Sequence, residues 1–147
     1  MAADGEDWRD SRREAFEAHA AAQRRAEAAE SARARPLIED FVRRAQGQGL
    51  TSGPLRAPAY SGSATYRTGL VGWYLQPTGG LAISVDGDFY VLIAAPGLAA
   101  RWRGVEVAPS PPPLAVGRGA RDGESMSLKE LLEWRLAAGN GFRRLTR

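Results

Sequence analysis

Few side chains in this sequence could do chemistry, and they are widely scattered. His19 is the only histidine, so any histidine-dependent proton transfer would have to use it. It lies among Glu17, Ala18, Ala20 and Ala21, in a highly charged stretch that is a poor place to hold a general base rigidly. One histidine cannot make the multi-histidine sites that zinc enzymes prefer. The absence of cysteine removes disulfides, thiolate ligands and cysteine nucleophiles together. Asp86 and Asp88 form a close acidic pair outside the expected helices. Gly87 between them, with alternating apolar residues on either side, describes a hairpin turn, and no EF-hand spacing follows. We therefore expect no metal and no cofactor.

The segment Gly117-Arg118-Gly119-Ala120-Arg121-Asp122-Gly123-Glu124-Ser125 joins an expected strand to the start of an expected helix. Free backbone N–H groups, a helix dipole and the residues Arg118, Gly119 and Arg121 suit an anion. The Gly-Lys-Ser/Thr of a phosphate-binding loop is missing, however, and Asp122 interrupts a GxGxxG pattern. Asp122 and Glu124 would also repel phosphate. An anion- or phosphate-binding domain, or an enzyme built on this loop, is one reading. With no evident nucleophile or base, the balance leans away from catalysis.

Aromatic and basic residues interleave at Tyr66, Arg67, Trp73, Tyr74, Tyr90, Arg101, Trp102 and Arg103. Alternation assigns Trp73 and Trp102 to the core. It leaves Tyr66, Tyr74 and Tyr90 as outward residues, and interleaved with Arg67, Arg101 and Arg103 they have the composition of a base-stacking sheet face. Residues 47–147 carry seven acids and eleven bases, a balance of +4, whereas residues 1–46 carry ten and nine, a balance of −1. A nucleic-acid-binding module is thus a second reading. The pI near 9.8 adds little, because net charge is only +3 and nineteen of the twenty bases are arginine, as a G+C-rich coding bias would produce.

The elements that must position these residues follow from periodicity. A chain of 147 residues is the size of one domain with a real core. The acidic N-terminus has no apolar signal region, and no apolar run is long enough for a membrane span, so we expect a cytoplasmic protein with no membrane contact. From a start at Asp4 or Ser11, nothing breaks a helix before Pro36. Trp8 and Phe16 are its only large apolar residues, and Ala15, Ala18, Ala22, Ala26 and Ala29 continue a stripe at spacings of three and four. Methyl groups bury little area, so such a stripe is weakly held alone but allows close approach of another helix.

Pro36 then suits the first turn of a short second helix, with Leu37, Ile38, Phe41, Val42 and Ala45 on one face and Gly47 as its C′ residue. Residues 47–64 read as a surface connection. Strands are expected at Tyr66–Gln76, with a bulge near Gly69 or Gly72, and at Leu81–Val85, Phe89–Ala94 and Arg101–Val107, with Leu114–Val116 as a short edge. The proline tract 109–113 is a rigid extended spacer, and Ser127 with Glu130 starts a helix that ends at Gly139.

The class is therefore α+β: an antiparallel meander of four to five strands with a long N-terminal helix, a short second helix and a C-terminal helix. We expect an alanine-rich charged helical arm over residues 1–35, an α+β core domain over 36–139 and a basic tail over 140–147. The leading functional expectation is a non-enzymatic protein–protein interaction or assembly module. Trp8, Ala15, Phe16, Ala22 and Ala29 of the N-terminal helix would dock on a partner chain or a second copy.

Overall fold

The computed structural model describes residues 3–62, 64–117 and 125–142. Alanine, arginine and glutamate dominate the first third of the chain, and their helix propensity is realised in one helix, α1, spanning Ala3–Gly47. It begins upstream of both Asp4 and Ser11, so neither is its cap. It also runs through Pro36 instead of restarting there. Proline removes the N–H that would bond Ala32, but Ala32 and Pro36 are both exposed, so water reaches the freed carbonyl. Packing of Ala34, Ile38, Phe41 and Ala45, all buried, holds the helix on both sides of the proline.

Its end is set by backbone geometry. Leu50 N–H donates to Ala45 O at 2.8 Å and Gly49 N–H to Gln46 O at 3.2 Å, the paired bonds of a Schellman motif. The left-handed residue is Gly49, at φ +73°, and not Gly47.

Four antiparallel strands follow as a meander in the order β1-β2-β3-β4: β1 Gly53–Pro58, β2 Thr65–Tyr74, β3 Leu81–Ser84 and β4 Phe89–Val91. β1 lies in the stretch expected to be a connection, because Gly, Pro and Arg hid the alternation of Leu55 and Ala57. The expected bulge is present. Between Pro54–Arg56 of β1, β2 advances from Val71 to Arg67, and Gly69 takes φ +74°. The β3–β4 turn closes at Asp86-Gly87-Asp88, with Gly87 N–H to Ser84 O at 2.9 Å and Asp88 N–H to Ser84 Oγ at 3.2 Å. That is the hairpin the sequence implies.

The expected fourth strand at Arg101–Val107 is instead a short helix, α2, over Leu98–Arg103, followed by an extended segment. Gly104 N–H closes α2 on Ala100 O, and Val105 N–H bonds Arg67 O at 2.8 Å, so the segment only touches β2. Beyond the proline tract, β5 (Ala115–Gly117) pairs with β6 (Ser125–Ser127) as a separate two-stranded sheet. Helix α3 (Leu128–Ala138) is capped by Ser127 Oγ, which accepts from Glu130 N–H, and is ended by Gly139, as expected. The α+β class thus stands, with the short helix after the meander instead of before it.

Both faces of the sheet are covered. On one, α1 and α3 pack over Trp73, Leu75, Ile83 and Phe89, with Phe41 edge-on to Trp73 at 5.7 Å. On the other, Leu55, Ala57, Tyr66, Ala82, Tyr90 and Leu92 form a second cluster under Ala100, Val105 and Val107. Val91 and Ile93, which follow Phe89 at alternate positions, are exposed.

Gly72 sits where the two central strands meet, and a Cβ there would fall 2.7 Å from Ser84 Cα. Gly72→Ala should therefore cost about 1–3 kcal/mol through overpacking, read as a lower urea midpoint at unchanged m-value.

Candidate functional site

Cover on α1 from the rest of the chain begins at Glu30, whose Oε1 accepts Leu114 N–H at 2.8 Å. Residues 5–29 before it are exposed, apart from the half-buried Ala20 and Ala21. At 1.5 Å per residue this overhang is roughly 37 Å long. Trp8 is 62% exposed and Phe16 75%. Arg12, one turn on, lies over the ring of Trp8, with Cζ 4.9 Å from its centroid. Ala15, Ala22 and Ala29 are open to solvent as well, and so is His19.

The sheet tyrosines lie elsewhere than expected. Tyr66 and Tyr90 are buried in the second cluster, and Tyr74 is half-buried against it. Tyr66 Oη accepts Gly97 N–H at 3.2 Å and Tyr74 Oη accepts Arg56 N–H at 2.7 Å. The face read as outward is covered by α2 and the segment after it. The reason is tertiary: a strand's alternation separates two faces but does not say that one of them is wet. Trp102, assigned to the core, is 81% exposed because α2 turns it away. Arg67, Arg101 and Arg103 remain exposed, with Arg67 Nη2 donating to Trp102 O at 2.8 Å.

Arg118, Gly119 and Arg121 lie outside the described residues; the strands flanking their loop, β5 and β6, are paired. Among the described residues no group of three or more His, Asp or Glu could hold a metal ion, and no helix is long and apolar enough to cross a membrane.

Arg135 lies among the buried residues of α3, with Leu128, Leu131, Leu132 and Leu136. It is 5% exposed. Its Nε donates to Tyr74 O at 2.7 Å, its Nη1 to Gly139 O at 3.0 Å, and its Cζ lies 4.0 Å from the centroid of Phe142. A pocket of about 250 Å³ opens beside it, lined also by Thr51, Ser52, Pro54, Trp73 and Phe142. The available signal was an arginine at i+4 from Leu131 and i+3 from Leu132, where a leucine would continue the stripe.

The chain matches no known protein-family model, no curated protein and no solved structure.

Burial, followed by the charges of Asp88 and Asp86, pushes the Tyr90 hydroxyl above its ordinary value. A raised folded-state pKa stabilises the protein fully below about pH 10, and that contribution is lost as pH rises through the raised value. Alkaline titration should show a late-ionising tyrosine component. Tyr90→Phe should remove that component; an unchanged titration would place the ring at the surface.

Proposed function

We infer that this protein is a non-enzymatic protein–protein interaction module whose N-terminal helix docks on another chain, with a second copy of itself as the favoured partner. The supporting observation is the solvent exposure of Trp8, on an overhang that the rest of the described residues leave uncovered. A tryptophan on a regular helix is the residue type that contributes most when a surface is desolvated by a partner.

The side-chain pattern favours self-pairing in parallel. Trp8, Ser11, Ala15, Ala18, Ala22 and Ala29 follow alternating spacings of three and four, broken only where Arg25 takes a seam position. At roughly 100° per residue, this seam points away from the face carrying Ala34, Ile38, Phe41 and Ala45. Two helices can then meet along it without their sheet domains colliding. In a parallel pair, Asp7 falls opposite Arg12 of the second copy and Glu14 opposite His19. An alanine seam buries little, so affinity should be modest and sensitive to these charges.

Sedimentation equilibrium of the full chain should show a concentration-dependent dimer. Asp7→Arg or Arg12→Asp alone should weaken it at least tenfold, and the two together should restore it, because the swap recreates opposite charges. The chain has no cysteine, so Ser11→Cys should oxidise to a covalent dimer only if the helices run parallel and in register. A chain that stays monomeric at the highest accessible concentration would eliminate self-pairing. Docking on a different protein would then be the remaining form of the proposal.

A further inference from the structure

A buried arginine has five N–H groups to satisfy and a charge to balance. Arg135 meets the first demand partly, through the carbonyls of Tyr74 and Gly139. The second is unmet among the described residues. No carboxylate among the described residues pairs with Arg135, and Glu133, two residues earlier, is taken by Arg44 at Nη2–Oε2 2.9 Å. Burial alone acts on the guanidinium, pulling its pKa below the ordinary arginine range with no acidic neighbour opposing it. An uncompensated charge in such a place calls for an anion from outside.

The surroundings say which kind. Arg135 lines the open pocket of about 250 Å³. Thr51 and Ser52, whose side chains carry hydroxyls, line it too, together with the apolar residues Pro54, Trp73 and Phe142. Phe142 is itself fixed edge-on against Trp134 at 5.9 Å and under the Arg135 guanidinium. Asn140 ties this corner to the start of the sheet domain, accepting Thr51 N–H at 2.8 Å and donating to Gly49 O at 3.2 Å.

We propose that this pocket binds a small organic carboxylate with a flat apolar body, its carboxylate on Arg135 and Ser52 and its body against Trp73, Pro54 and Phe142. One guanidinium balances a single negative charge, whereas a phosphate dianion would bring excess charge into a cleft with no second cation among its lining residues. The volume limits the ligand to about one ring. This site is independent of the N-terminal helix and of any partner docked there.

Benzoate, titrated into the full chain at constant ionic strength, is the probe. The Arg135 Nε–H and Trp73 Nε1–H signals in nitrogen-15 NMR should shift saturably, with half-saturation on the order of 1 mM for a ligand of that size. The melting temperature should rise over the same range. Ser52→Ala should weaken binding roughly fivefold, and Arg135→Lys should abolish it with the helical circular dichroism retained. Absence of a saturable shift, or shifts with inorganic phosphate but not benzoate, would overturn the proposal. So would unchanged affinity in Arg135→Lys. Should that variant fail to fold, unchanged affinity in Ser52→Ala overturns it equally.

Discussion

A helix of 45 residues must be held somewhere, and here its last third holds it. Ala34, Ile38, Phe41 and Ala45 are buried against α3 and the sheet, with Phe41 meeting Trp73 edge to face. Trp73 in turn donates its Nε1–H to Leu50 O at 3.1 Å, in the residue that completes the helix end. Helix, cap and central strand are therefore locked at one point. Two alanines in that face bring the helix close to the sheet, and two large side chains supply most of the buried area, at roughly 1.5–3 kcal/mol each.

That anchorage explains how a weakly apolar overhang can be regular. Nucleating a helix is its costly step, and here the docked turns have already taken it. Each further residue needs only propensity, which alanine, arginine and glutamate provide. The overhang inherits its direction from the docked part, so Trp8 and Phe16 lie on a continuation of the docked helix.

The same anchorage builds the pocket at Arg135. Arg44 and Glu133 bridge α1 to α3, and Gln48 Nε2 donates to Leu136 O at 2.9 Å. These contacts set the register of α3, placing Arg135 beside the carbonyl of Tyr74. The two candidate surfaces thus share one structural origin, although they lie on different parts of the chain.

Local chemistry was legible in the sequence. The α+β class, the Asp86-Gly87-Asp88 turn, the bulge at Gly69, the Ser127 cap, the Gly139 stop and the long charged helix all depend on residues close in the chain. Exposure of Trp8 and Phe16 also follows from a stripe too thin to bury itself. Pairing and cover could not be read there. β1 has too short an alternation to declare itself without β2 beside it, and α2 took a segment whose Trp102, Val105 and Val107 mimic a strand. Tyr66 and Tyr90 became core because a second layer folded over their face. Pro36 stayed helical because contacts on either side of it outweighed one missing hydrogen bond. Arg135 gained its surroundings from Tyr74, 61 residues away, a distance in sequence that no local pattern spans.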